Sequence, residues 1–355
     1  MSSDSTFPQK ILIIRTDRIG DVVLSLPMIA ALKSLVPESF VAFLLRSYTR
    51  DLVADQPGLD QILLYDRGGE RKRFREMLSE LRSHRFDAVI VTYPTLRLAL
   101  LVFLARIPWR VGTGYRWYSF LLNKRIYEHR KTAEKHEAEY NLSLLKVFGE
   151  SAHSSALPRL VLAPRNNQEA EKILDEMRIN DKTPFVILHP GSGGSARDWR
   201  PELFGRLAAR LTKQGLAVVV TGGPGEEQLV RTVVQHSAGS ARPLPRPLSL
   251  LTLAALIRKA GAFISNSTGP LHIAAAVGTP VVAFYPPLRQ CSPTRWGPLT
   301  DRKVIFEPSS ADCPRCKGGP CESNDCMDLI TVEDVENAVN SLIHRTSGLS
   351  VAVGS

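Results

Sequence analysis

The order of apolar and polar positions divides the chain into two runs of alternating strand and helix. In the first run, the short apolar segment Lys10–Arg15 predicts a buried parallel strand. A tight loop, Thr16–Asp21, follows it, and then apolar positions recur at helical spacing from Val22 to Leu35. Phe40–Leu45, Ile62–Leu64 and Ala88–Val91 predict further strands, with a charged helix over Arg71–Arg82 and a closing helix over His136–Phe148. A connector from about Glu150 to Thr183 carries Pro158 and Pro164, ends before Pro184, and holds a helical stretch at Gln168–Met177.

The second run repeats the pattern. Strands are predicted at Phe185–Leu188, Leu216–Val220, Ala262–Ile264 and Pro280–Phe284. Helices open at Pro201 and after Glu227, then cover Leu250–Lys259 and Pro270–Val277, while Arg242–Pro247 reads as a turn or short linker. Such succession implies right-handed crossovers and parallel sheets. The expected fold class is therefore α/β, with two Rossmann-like parallel-sheet domains facing a central cleft. The expected division is residues 1–165, 166–330, and a C-terminal helix and tail over 331–355 that packs back on the first domain.

Ligands of open α/β sheets bind beyond the carboxyl ends of the strands, so four loops carry the candidate chemistry. In the first, Gly20 allows close backbone approach ahead of a helix. Asp21 and Asp17 are both eligible acids there, and capping of the helix is the competing role for Asp21. The second loop, His189–Trp199, offers Ser192, Gly193 and neighbouring amides to a phosphate, with Arg197 adding a forked cation. It lacks the lysine of a phosphate-binding P-loop, which argues against an ATPase. The third, Thr221–Glu227, places Glu226 to accept from a ribose, or simply in the first turn of a helix. The fourth runs through Thr268, Gly269 and Pro270, with His272 one turn on. Proline at the helix start leaves amide donors at a positive helix end. Together the four loops point to a nucleotide or sugar-nucleotide site.

Composition bounds the reading. The 355 residues suit two domains, and 44% apolar with 23% charged residues is ordinary for a globular chain. The opening residues MSSDSTFPQK lack the pattern of a secretory signal, and the longest apolar stretch, Leu98–Ala105, is far short of a bilayer span. A soluble, cytoplasmic protein is expected. The net charge of +10 is concentrated: Asp66–Lys135 holds sixteen Lys and Arg against seven Asp and Glu. That segment mixes Arg106, Trp109, Arg110, Tyr115, Arg116, Trp117, Tyr118, Lys124 and Arg125, a face suited to an anionic partner or to plain solvation, with Lys72 or Arg75 as neighbours. Cys313, Cys316, Cys321 and Cys326 are spaced as a zinc site could be, but reduced thiols in a compact loop are the preferred reading; Cys291 stands apart. Acidic residues outnumber basic ones around that cluster, which counts against a nucleic-acid binder. No strand is followed by G-x-G-x-x-G and a downstream acid, which counts against a nicotinamide oxidoreductase.

The segments ILIIRTDRIGDVVLSLPMIAALKSLVP, HPGSGGSARDWRPELF, TGGPGEE and ISNSTGPLHIAAAVGTPVVAFY, with the closing CPRC and CMDLI, resemble the glycosyltransferase family 9 heptosyltransferases over nearly the whole chain. The resemblance implies a GT-B architecture and metal-independent, inverting transfer of a heptose from ADP-heptose, with no cofactor. The implied acceptor is the lipid A–inner core of lipopolysaccharide, met by a peripheral, monomeric protein at the inner face of the cytoplasmic membrane. It assigns Asp21 as general base, Arg197 to the phosphates, Thr268 and Gly269 to the diphosphate loop and Glu226 to the ribose. It also turns the basic, aromatic segment into an acceptor or membrane face. Many members carry Asp where this chain has Ser267, which leaves open a different activated sugar or a non-lipopolysaccharide acceptor.

Overall fold

The computed structural model describes residues 7–149, 157–180, 183–194, 197–309 and 325–349. The chain divides into two compact units, Met1–Val161 and Leu162–Ser355. The first holds a six-stranded parallel sheet of β1 (Lys10–Ile14), β2 (Phe40–Leu45), β3 (Gln61–Leu64), β4 (Ala88–Val91), β5 (Trp109–Thr113) and β6 (Lys124–Ile126), in the order β3-β2-β1-β4-β5-β6. Ile11 sits in register with Val41 on one side and Ala88 on the other. Leu12, Ile14, Ala42, Leu44, Val89 and Val91 share one face. They pack with Met77 and Leu81 of α3 (Phe74–His84) and with Leu98, Leu101 and Val102 of α4 (Leu96–Leu104). Strand alternation sends Ile11 and Ile13, also fully buried, to the opposite face. Further helices of this unit are α1 (Ile19–Val23), α2 (Pro27–Leu35) and α5 (Glu137–Ser143).

The second unit repeats the plan with β7 (Phe185–His189), β8 (Ala217–Val220), β9 (Arg242–Pro243), β10 (Ala262–Asn266), β11 (Val281–Phe284) and β12 (Lys303–Phe306), ordered β9-β8-β7-β10-β11-β12 and parallel throughout. Its helices are α6 (Pro164–Glu176), α7 (Pro201–Lys213), α8 (Glu227–His236), α9 (Leu250–Lys259), α10 (Gly269–Ala276) and α11 (Val332–Leu349). In both sheets the order reverses beside the first strand, between β1 and β4 and between β7 and β10. That reversal opens a crevice at the strand carboxyl ends. The loops after β1, β7 and β10 start there.

Three strands and one short pair escape the apolar-run criterion. β5 (WRVGT), β6 (KRI) and β12 (KVIF) mix charges with apolar residues because they lie at or next to a sheet edge, where burial is partial. Arg242–Pro243, expected as a turn, pairs with Val219 and Val220. The C-terminal helix expected after residue 331 forms, and its apolar residues pack within the second unit. Val335, Val339 and Leu342 of α11 belong to the core of the second sheet, with Trp199, Phe204, Leu207 and Phe284. Glu336 fixes the helix to α7, accepting from Arg210 Nε at 2.5 Å and Gln214 Nε2 at 2.7 Å.

Val339 is fully buried, so Val339→Ala removes two methyl groups and leaves a small void. The expected loss is about 2 kcal/mol in urea unfolding. A change within about 0.5 kcal/mol would mean that the helix is not part of this core.

Candidate functional site

In the first unit the site is built on a charge that the strand pattern delivers to the interior. Arg15 ends the apolar run of β1 and is 1% exposed, so its guanidinium must be paired. Its Nε donates to Asp17 Oδ1 at 2.7 Å, and one Nη bonds the Asp21 carboxylate. The other Nη meets Glu137 Oε1 at 3.2 Å and Asn141 Oδ1 at 3.1 Å. Both of these come from α5, whose start is fixed by a capping box between His136 and Glu139. Arg130 is a second cation on the Glu137 carboxylate and bonds Asn141 Oδ1 at 3.2 Å. Asn141 Nδ2 in turn donates to Leu24 O and Ser25 Oγ, and Ser25 Oγ donates to Asp21 O. Asp21 lies inside the first turn of α1, and no side chain caps that helix. The capping role considered from sequence is therefore not the one it plays. Gly20 is buried in the same turn.

The electrostatics follow from burial. Burial works against the Arg15 charge, but Asp21, Asp17 and Glu137 outweigh it and hold the guanidinium firmly protonated. Asp17 is pushed up to about 6, chiefly by burial and with help from Asp21, against the pull of Arg15. Its backbone carbonyl accepts from Tyr48 Oη at 2.6 Å, which pins the loop. Sequence reading weighed Asp17 and Asp21 but gave Arg15, Glu137 and Asn141 no role. The available signal was an arginine closing an otherwise apolar strand.

In the second unit the loops after β7, β8 and β10 are tied together. Asn266, buried at the end of β10, accepts from the Trp199 amide at 2.7 Å and donates to Pro190 O at 2.6 Å. Glu226 accepts from the Gly193 amide at 3.0 Å with one oxygen and from the Gly223 amide at 2.7 Å with the other. A Cβ on Gly191 would collide with the Glu226 carboxyl, so a larger residue there would push that carboxylate off the amides it accepts from. His189 is buried, its Nδ1 2.8 Å from Thr221 Oγ1 and its Nε2 3.8 Å from Glu226 Oε2. Burial lowers it to about 4 despite the attraction of Glu226, so the ring is neutral. Asp198 rises to about 6, mainly through burial, with Ser192 acting downward and Glu226 upward.

In the loop after β7, the Ser192 hydroxyl is buried beside Asp198, and the exposed Gly193 donates its amide to Glu226. Glu226 is first a brace between two glycine loops. Arg197 is half-buried, with Nη1 3.9 Å from Cys326 Sγ. Thr268 takes the position ahead of α10 in extended conformation without a side-chain cap, and Gly269 and Pro270 open the helix. His272 is buried one turn in. Ser267 is buried next to Tyr285, its amide donating to Phe284 O at 3.1 Å.

The basic segment of the first unit does not form one face. Arg106, Trp109, Arg110, Lys124 and Arg125 lie at or near the starts of β5 and β6, the amino end of the sheet. Trp109 packs between Phe7 and Phe148 under Lys124 Nζ, which is 4.5 Å from the ring. Arg110 donates to Leu121 O and Ile107 O, and Arg125 to Leu122 O. Arg116 and Trp117 follow β5 and so stand at the carboxyl end, where Trp117 is 75% exposed and Phe120 65%. Tyr115 stacks on His129 there, with centroids 3.6 Å apart, and Tyr93 is exposed nearby in the chain direction after β4. Lys72 is held by Glu80 at 2.8 Å, while Arg75 is exposed. Cys313, Cys316 and Cys321 lie outside the described residues, and among the described residues no three metal-capable side chains gather. Among the described residues, too, no helix is long and apolar enough to cross a membrane.

Comparison with known proteins places the chain in a family and matches its fold. A family model for glycosyltransferase family 9 (heptosyltransferase) matches residues 74–326. A Haemophilus influenzae protein named no more specifically than a glycosyltransferase is 27% identical over 95% of this chain and 97% of its own. Lipopolysaccharide heptosyltransferase 2 of Salmonella typhimurium is 27% identical over 84% of this chain and 87% of its own. Among solved structures, a family 9 glycosyltransferase of Veillonella parvula superposes with a TM-score of 0.82 at 21% identity, covering 95% of this chain and 97% of that one. ADP-heptose lipopolysaccharide heptosyltransferase II of Escherichia coli gives 0.77 at 22% identity, covering 95% and 99%.

The buried imidazole makes a pH prediction. The folded value of His189 lies below its unfolded one, so its contribution is complete above pH 6.5 and is lost as pH falls toward 4. Asp17 and Asp198 act oppositely, favouring the folded state at low pH and losing that contribution as pH rises through about 6. Between pH 7.5 and 4.5 the wild type should lose about 2–3 kcal/mol more than His189→Asn, measured by paired urea titrations. Equal losses would show that the ring is not held neutral in the fold.

Proposed function

The chain belongs to glycosyltransferase family 9 (heptosyltransferase), and from that premise we propose that it moves a heptose from ADP-heptose, with inversion, to the phosphorylated inner core of lipopolysaccharide. The observation that carries the reading is the Asp21 carboxylate. It is held at the carboxyl end of β1 by a buried guanidinium and is not spent on capping its own helix. In this scheme the acceptor hydroxyl gives its proton to Asp21 as its oxygen attacks the anomeric carbon. The bond from that carbon to the diphosphate breaks as the new one forms. Negative charge then gathers on the departing ADP. Arg197 and the amides at the start of α10, around Thr268, Gly269 and Pro270, meet that charge, so no metal ion enters the scheme.

Glu226 fits the ribose role within the limits of its bracing bonds, since each carboxylate oxygen keeps a second lone pair. His272 supports the start of α10 from inside. On the acceptor side, Arg116 and Trp117 at the carboxyl end of the first sheet suit a phosphorylated glycolipid better than the residues at its amino end. The protein works as a peripheral monomer at the inner face of the cytoplasmic membrane in this reading, with each surface cation adding about 1 kcal/mol of attraction to anionic lipid. Ser267, with no charge where many members carry Asp, is the feature that favours testing other donors.

Thermal protection by a panel of ADP-, UDP- and GDP-sugars, followed by turnover on truncated lipid A–core, tests the donor and acceptor together. ADP-heptose should protect most; preference for a UDP-sugar would overturn the donor assignment. Asp21→Asn should abolish turnover and leave ADP affinity within about twofold, whereas full activity would remove Asp21 as the base. Arg116→Glu combined with Trp117→Ser should weaken binding to anionic vesicles, and unchanged sedimentation with vesicles would remove this rim from the membrane contact.

A further inference from the structure

We propose that Asp17 is a positioning residue for Asp21, acting through the Arg15 guanidinium that both carboxylates share, so that turnover requires Asp17 to be ionised. The inference rests on the reading of Asp21 as general base. Each nitrogen of Arg15 has its own acceptor: Nε has Asp17, one Nη has Asp21, and the other has Glu137 and Asn141. A planar fork held along two edges by fixed partners cannot rotate, and its remaining nitrogen is then aimed at Asp21. Glu137 and Asn141 fix one side from α5. Asp17 alone fixes the Nε side, and Tyr48 pins the loop that carries it through the 2.6 Å bond to the Asp17 carbonyl.

The charges around this point form a short set. Arg15 and Arg130 are the cations of the buried network, and Asp17, Asp21 and Glu137 are its carboxylates. Arg18 on the same loop, with Arg46 and Tyr48 after β2, faces it from the rim. Three carboxylates thus share the Arg15 guanidinium. Burial and the neighbouring Asp21 raise Asp17 to about 6, against the pull of Arg15, so Asp17 changes charge close to neutral pH. When Asp17 takes a proton, the Nε edge loses its charge-assisted bond. Arg15 is then left to Asp21 and the α5 pair, and it closes on the Asp21 oxygen instead of sharing itself. Asp17 forms and breaks no bond to substrate; its effect is on where Arg15 holds Asp21.

The test is the pH profile of kcat/KM for the full chain, with the donor and acceptor established as above. The wild type should show an acid limb centred near pH 6. Asp17→Asn should lower kcat roughly 10- to 100-fold, remove that limb, and leave KM for the donor within about twofold. Asp17→Glu, which keeps the charge, should recover much of kcat and retain the limb. Wild-type kcat together with an unchanged limb in Asp17→Asn overturns the proposal. Should Asp17→Asn fail to melt cooperatively, the wild-type and Asp17→Glu profiles decide: limbs in both support the proposal, and a flat wild-type profile between pH 5 and 8 overturns it. Asp21→Asn, assayed alongside, keeps the two readings apart. An active Asp21→Asn removes the base, whereas an inactive one beside an indifferent Asp17→Asn removes only the role given to Asp17.

Discussion

A fully buried guanidinium at the end of the first strand is the constraint around which the first unit is arranged. Taking a cation out of water costs several kcal/mol unless its partners are placed to meet it. Arg15 receives those partners from three separate stretches of chain: its own loop, the following helical turn, and α5 more than a hundred residues on. The helix that delivers Glu137 and Asn141 is fixed at its start by its own capping box and is linked to the first loop through Ser25. A carboxylate held this way has a defined position before any substrate arrives. Preorganisation of this kind is what electrostatic catalysis requires.

The second unit uses the same strand order with a different set of loop contacts. Where the first unit surrounds a cation with carboxylates, the second opens a helix at Gly269 and Pro270 behind an uncapped Thr268. Its loops are held by a neutral amide, Asn266, and by one acid, Glu226, whose two oxygens bridge glycine loops. Neutral His189 beneath them keeps a second buried charge out of the region. One topology thus supports two different sets of loop contacts according to what its first and fourth strands carry at their ends. Fold alone does not choose between them.

How much of this was legible in the sequence depended on burial. Central strands such as KILII and FVILH are apolar on both faces and read plainly, and so did the glycine-bearing loops that follow them. Edge strands such as KRI and KVIF did not, since one side of each meets solvent or a thin cover. Missing β5 and β6 had a second effect: a cationic, aromatic stretch looked like one surface although the strands carry its members to opposite ends of the sheet. The network around Arg15 was hidden for a different reason. Pairing between Arg15 and Glu137 spans 122 residues, and no local pattern reports a contact at that separation.

The seating of α11 on the second sheet also bears on how the chain is made. Residues of the first unit are complete by Val161, so its core can close while the remainder is still being synthesised. Trp199, Phe204 and Phe284 have no such freedom, because part of the apolar wall that covers them consists of Val335, Val339 and Leu342. Until those last residues emerge from the ribosome, a large indole and two phenyl rings lack their cover. The nascent second unit is accordingly the stretch of this chain with most to gain from a chaperone during translation.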